Sequence, residues 1–200
     1  MIFTQIYSPK PLLSTKQQTI DLDKVDEAKW LSHVNKRCFD GEWCVLPLRG
    51  LAKYKISSPI LQAFNFEESA NSEEYDNFPI LGSLPGIYQF LTSFPCSILS
   101  ARLMKLNPGS MILPHTDNGL VLTNGQARLH YCLKTDPDVE FVVGGKRLKM
   151  SEGELWYINA AAEHAVYHRG HMPRIHLVFD CIVNDWLMAQ LQPTTEYENR

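Results

Sequence analysis

No apolar run in this sequence approaches the roughly 18 to 20 residues of a membrane-spanning helix, no basic block interrupts it, and no Cys-x-x-Cys pair occurs. Each absence excludes something. Without a span, the chain is expected to be globular and soluble, with no membrane partner. Nineteen Lys and Arg against 22 Asp and Glu leave a formal charge of −3. With no basic-aromatic stripe to meet a phosphate backbone, nucleic acid is not an expected partner either. Cys38, Cys44, Cys96, Cys132 and Cys181 are an odd number without thiolate-zinc spacing, which predicts reduced thiols. Residues Met1 to Lys10 carry neither a basic segment followed by an apolar one nor an Arg-rich amphipathic pattern, so a cytoplasmic location is expected. What is present is 44% hydrophobic, 10% aromatic and 200 residues long. That suffices for one buried core and is too short for two full domains, so residues 1–200 are read as a single domain.

Val25, Ala28, Trp30, Leu31 and Val34 recur at roughly helical spacing and predict a helix over Asp23 to Arg37, within an N-terminal helical extension over residues 1–40. From Trp43 the texture becomes β. Trp43 to Gly50 reads as a strand closed by a turn, with Pro47 best placed on an edge. Glu67, Glu68, Glu73, Glu74 and Asp76 form an acidic stretch, a solvated loop or, in the sharper reading, a lid over residues 67–76. Eight β segments follow: Ile98 to Leu106, Met111 to Leu113, Ala127 to Leu133, Val139 to Val143, Arg147 to Met150, Glu154 to Ile158, His164 to His168 and Arg174 to Val183. Gly144-Gly145 is a two-residue hairpin signal. Short strands with frequent turns predict a mainly β antiparallel sandwich or jelly roll with its core at about residues 43–183. A helix over Asp185 to Leu191 and a frayed tail at 192–200 close the chain.

His115-Thr116-Asp117 puts an imidazole and a carboxylate at i and i+2, on one face if the segment is extended. Alone the triplet is a weak signal, since seven His and ten Asp among 200 residues give roughly 0.35 such triplets by chance. Context strengthens it. A jelly roll brings its opening and closing strands side by side, so His164 can complete a set of two imidazoles and one carboxylate on one face of an ion. That set suits a non-haem Fe(II) oxygenase, with open positions for a chelating cosubstrate and dioxygen. His168, four residues on, is the alternative ligand. The competing reading of the pattern is a group of surface or core histidines with no metal. Arg174 lies ten positions beyond His164 across a turn, where a guanidinium fork can meet the far end of a metal-bound dicarboxylate. Arg128 and His130 alternate inward with Cys132 if Leu129, Tyr131 and Leu133 face the other way.

Arg102-Leu103-Met104-Lys105-Leu106-Asn107-Pro108-Gly109, Pro114-His115-Thr116-Asp117, Arg128-Leu129-His130, Gly153-Glu154-Leu155-Trp156-Tyr157, His164-Ala165-Val166 and Arg174-Ile175-His176-Leu177-Val178-Phe179-Asp180 resemble, in order and spacing, the aspartyl/asparaginyl β-hydroxylase family. The likeness covers about residues 96 to 181, with a weaker echo at Trp43 to Arg49. It implies a double-stranded β-helix, cupin-like and flanked by N- and C-terminal helices, that uses Fe(II), 2-oxoglutarate and O2. It further implies iron ligation by His115, Asp117 and His164. Arg174 would then pair with the distal carboxylate of the cosubstrate, and Arg128 and His130 would contact it. The implied reaction is hydroxylation of an unactivated C–H with succinate and CO2 as coproducts. Arg102 would meet a substrate carboxylate or form a structural salt bridge. The animal peptidyl hydroxylases of the family lack the carboxylate ligand. Asp117 therefore places the chain nearer the bacterial branch that includes proline hydroxylases, with an amino acid or amino-acid-like small molecule as substrate. A peptidyl Asp/Asn β-hydroxylase and a non-enzymatic cupin-type metal- or ligand-binding protein are the alternatives. Only the enzymes need Arg174 and Arg128.

Overall fold

A computed structural model describes residues 1–6, 21–56, 71–117 and 121–191. Its strands are β1 (Phe3–Ile6), β2 (Leu31–Ser32), β3 (Phe39–Asp40), β4 (Trp43–Leu51), β5 (Tyr75–Asn77), β6 (Ile98–Leu106), β7 (Met111–His115), β8 (Gln126–Lys134), β9 (Val139–Val143), β10 (Lys146–Leu148), β11 (Leu155–Ile158), β12 (His164–His168) and β13 (Arg174–Ile182), with helices α1 (Pro85–Ser93) and α2 (Asp185–Gln190). The strands form two sheets. The larger runs β1-β11-β8-β13-β6-β4-β2, with β5 added to β4, and the smaller runs β10-β9-β12-β7-β3. Every pairing is antiparallel. This is the jelly roll that the strand spacing predicts.

Both faces of the larger sheet are covered, and the period of two along each strand decides which residues go where. Leu129, Tyr131 and Leu133 of β8 and Leu177 and Phe179 of β13 point outward into a core closed by Phe90 and Leu91 of α1 and Leu187 of α2. Cys132, Val178, Met104 and Leu106 point inward, against Phe141, Val143 and Val166 of the smaller sheet. Arg128 and His130 share the inward phase with Cys132, as alternation requires. At Gly144 and Gly145, with φ of 55° and 74°, the β9–β10 hairpin turns in two residues, opposing Val143 to Lys146.

Three expectations need correction or extension. The predicted helix over Asp23 to Arg37 is absent: residues 21–23 are helical, Glu27–Lys29 is a single 3-10 turn, and Leu31–Ser32 pairs with Val45 and Cys44 of β4. Pairing to an available sheet edge overrides a weak helical period. The helix α1, which sequence analysis did not identify, has no side-chain cap of its own at Leu84. Its Ile87 N–H instead donates to the buried Asp21 carboxylate at 2.7 Å. Of the acidic stretch, residues 71–76 form a 3-10 turn and the start of β5, while 67–70 lie outside the described residues, as does the frayed tail. Pro47 sits at an irregularity between Pro47 and Arg49, on the stretch of β4 between the pairings to β2 and β5, so the missing N–H breaks no ladder there. Among the described residues no helix is long and apolar enough to cross a membrane.

Candidate active site

Between the sheets lies a cavity of about 390 Å³. At one end, β7 and β12 pair so that His115 and His164 are direct partners, with ring centroids 4.2 Å apart. Asp117 follows β7, and its backbone N–H donates to Ala160 O at 2.8 Å, tying the turn to the segment after β11. The strand continues through Pro114 to His115, two residues beyond the expected end. One ligand atom from each of His115, Asp117 and His164 lies within 4.8 Å of the others.

The imidazoles are oriented for metal binding. His115 Nδ1 is 2.8 Å from Leu113 O, and His164 Nδ1 is 3.0 Å from Ala162 O. A carbonyl only accepts, so each Nδ1 carries the proton and each Nε2 keeps its lone pair. Burial lowers the His164 pKa, which favours the neutral ligand form. Two imidazole nitrogens and one carboxylate are the donor set of non-haem Fe(II) sites, so these residues fit that ion. His168, the alternative ligand, is spent elsewhere: Nδ1 accepts from Gly170 N at 3.2 Å, and Nε2 donates to Met172 O at 2.7 Å.

Arginines and one further carboxylate fill the inward face of the larger sheet. Arg128 donates from Nε and Nη2 to the two oxygens of Asp180, at 2.8 and 3.1 Å, and from Nη1 to Asp117. Arg102 Nη1 lies 3.3 Å from Asp180 Oδ2 and 3.1 Å from Ser100 Oγ, so it makes the salt bridge while also lining the cavity. Burial alone would raise the Asp180 pKa, but Arg128 and Arg102 outweigh it and hold the carboxyl far below its ordinary value. For Arg128, burial opposes the charge, and Asp180 with Asp117 more than offsets it.

Arg174 differs. It is buried, and among the described residues it makes no ion pair; its guanidinium rests 5.4 Å from the Phe141 centroid, with Nη2 3.1 Å from His176 Nδ1. Burial lowers its pKa to about 10, so it stays charged at neutral pH. His130, also on the cavity wall, has a buried Nδ1 without a partner among the described residues and is held neutral by burial, helped by Arg174. An unpaired buried cation beside an unsatisfied imidazole nitrogen is costly unless a ligand completes it.

The remaining wall comes from residues that sequence analysis did not assign. His33 stacks on Trp43 at 3.7 Å between centroids, Tyr75 also lines the wall, and among the described residues the buried Trp43 Nε1 has no partner. Burial and then Arg102 lower the His33 pKa to about 4. No signal in residues 33–43 marks them as cavity wall, whereas Asp180, likewise unassigned from sequence, does carry one as the fourth inward position of β13 after Arg174, His176 and Val178.

Two inward-facing imidazoles and a carboxylate at one end of the cavity of a jelly roll form a set of donors able to hold a metal ion. The fold agrees with an oxidoreductase of the 2OG-Fe(II) oxygenase family from Burkholderia pseudomallei, at a TM-score of 0.53 and 14% identity over 84% of this chain and 79% of that one. It also agrees with HygX from Streptomyces hygroscopicus, solved with nickel and 2-oxoglutarate bound, at a TM-score of 0.50 and 11% identity over 92% and 83% of the two chains. Residues 55–183 match the model of the aspartyl/asparaginyl beta-hydroxylase family, and the chain belongs to that family. It is 31% identical over 104 residues to an L-proline cis-4-hydroxylase of Rhizobium meliloti (strain 1021), covering 51% of this chain and 37% of that relative's length.

Proposed function

We propose that this protein is an Fe(II)- and 2-oxoglutarate-dependent dioxygenase that hydroxylates a C–H of an amino acid or amino-acid-like small molecule. One observation carries the reading: the buried Arg174, without a carboxylate partner among the described residues, shares a cavity with the His115, Asp117 and His164 donor set. A non-enzymatic metal-binding barrel has no use for that arrangement. The membership of the family and the similarity to a proline hydroxylase support the same reaction type.

His115, Asp117 and His164 would hold the iron, which when bound couples reduction of O2 to decarboxylation of 2-oxoglutarate, giving succinate and CO2, and to hydroxylation of the substrate. Arg174 supplies a fork for the distal carboxylate of the cosubstrate. His130 offers its unpaired nitrogen on the same wall. Arg128 acts as a positioning residue, because its three engaged nitrogens fix Asp117 against the buried Asp180. Charge supports the substrate class. Arg102, Arg128 and Arg174 share the cavity lining with Asp117 and Asp180, one net positive charge before ligands. A divalent ion and a dicarboxylate cancel each other, so one positive charge is left for a substrate carboxylate. Arg102 is the cavity arginine nearest in role to that task, since Asp180 engages only one of its nitrogens among the described residues.

The test is anaerobic titration of the apo-protein with Fe(II) and then 2-oxoglutarate, followed by the weak visible charge-transfer band of a chelated 2-oxo acid. The band should require both additions and vanish in His115→Ala, and an amino-acid screen should then yield a hydroxylated product. Metal binding without any band would overturn the reading in favour of a non-enzymatic barrel.

A further inference from the structure

Behind Arg174 lies a second cavity, of about 310 Å³. Arg174 and Phe141 line both cavities and so form the partition between them. His176 lines only the rear one among these two. It sits on β13 in the same inward phase as Arg174, and the 3.1 Å approach of its Nδ1 to Nη2 is the one side-chain hydrogen bond of Arg174 among the described residues. A guanidinium has no acceptor, so His176 Nδ1 must accept and its proton must lie on Nε2. Burial, with Arg174 adding to it, drives the His176 pKa well below its ordinary value, so the imidazole is neutral and able to accept at physiological pH. Nε2 is buried and has no partner among the described residues. The His176 ring therefore leaves one polar atom unsatisfied while its other nitrogen holds the arginine from behind. A plain apolar residue would avoid that penalty, so the position has a use beyond packing.

We propose that His176 is a positioning residue that fixes Arg174 as the end wall of the cosubstrate site and thereby sets the length of the 2-oxo dicarboxylate admitted. The inference rests on the reading of the front cavity as a 2-oxoglutarate site. A long arginine stem has many rotamers, and Phe141 restrains the guanidinium from one side only. The rear cavity gives it somewhere to go. Without the imidazole the guanidinium can retreat toward that space, so the front cavity deepens. A dicarboxylate one methylene longer, 2-oxoadipate, then fits as well as or better than 2-oxoglutarate.

The experiment measures dissociation constants of both acids for the Fe(II)-loaded protein without oxygen, by the charge-transfer band and by calorimetry, so turnover is not the readout. His176→Gln displaces the acceptor from the Nδ1 position, whereas His176→Asn keeps an oxygen there. Both keep a polar side chain at the site. In His176→Gln, 2-oxoglutarate should bind at least about tenfold more weakly, the scale of a lost hydrogen bond to a charged group, and the preference should shift toward 2-oxoadipate. His176→Asn should restore the wild-type preference. Met150→Trp, which fills the rear cavity where Met150 lines it, should reverse the shift when combined with His176→Gln. Equal weakening of both acids, or no weakening, in folded His176→Gln would overturn the end-wall role. Failure of the wild type to bind 2-oxoglutarate with iron in place would instead overturn the functional reading beneath it.

Discussion

Replacing Asp180 by Asn tests the buried charge network with almost no change in shape. The carboxylate is 1% exposed and accepts from Arg128 at 2.8 and 3.1 Å, from Arg102 at 3.3 Å and from Ser100 Oγ at 2.8 Å. Asparagine keeps one acceptor, turns an amide N–H toward an arginine, and removes the negative charge that offsets two guanidiniums. Breaking a buried pair from one side costs about 3–5 kcal/mol. For a chain of this size each kcal/mol moves Tm by about 2–4 °C, so the apo-protein should melt roughly 6–20 °C lower. Calorimetry and urea unfolding of metal-free protein measure it. Lys55→Met is the control, because the Lys55–Asp76 pair has side chains 43% and 45% exposed and is screened by solvent. The pH dependence adds a sign. The folded Asp180 pKa is depressed below its ordinary 3.8, so its contribution is present above that pH and is lost as pH falls through the folded value. Asp180→Asn should therefore show a shallower loss of stability in strong acid. A shift no larger than that of Lys55→Met would refute the argument that Asp180 carries the charge balance of the inward face.

Two further outcomes are expected. His33 has a folded pKa of about 4 against 6.5 unfolded, so the unfolded chain binds the extra proton and metal-free stability should fall as pH drops from 6.5 toward 4; His33→Phe, which retains the stack on Trp43, should flatten that slope in a Tm series against pH. At Gly170 an added Cβ would overlap the Asp136 carboxylate, which accepts from the backbone N–H groups of Asp138, His171 and Met172 at 2.9, 2.9 and 3.0 Å; Gly170→Ala should lower Tm, whereas Gly82→Ala, with nothing within 4 Å, should leave it nearly unchanged.

The strands from Trp43 and from Ile98 onward were legible because a two-sided sheet writes its period into the sequence, whereas β1, β2 and β3 fall in the stretch expected to be a helical extension over residues 1–40. Along Arg174 to Cys181 the polar residues Arg174, His176 and Asp180 fall on one phase and Ile175, Leu177, Phe179 and Cys181 on the other, and the sheet buries both. The same alternation made Arg128 and His130 identifiable as inward-facing. Long-range partners were not legible. Nothing near Pro85 announces a helix whose first turn is satisfied by Asp21, and Leu31 resembles a helical position until β4 offers it an edge. Arg128 shows a similar limit at the site: its spacing brings it to the cavity, but only the geometry reveals that Asp117 and Asp180 already occupy its donors.

The cavity has two walls of different origin. His115, Asp117, His164 and the cavity arginines lie within residues 55–183, the span that matches the family, whereas His33, Cys38 and Trp43 come from a short segment before it. That segment is attached through the small pairings of β2 to β4 and β3 to β7 and contributes no metal donor. The His/Asp/His set with its arginines and the His33–Trp43 wall are thus separable along the chain. Exchanging some eleven residues at the N-terminal side would reshape that wall of the cavity while leaving His115, Asp117, His164 and the cavity arginines in their register.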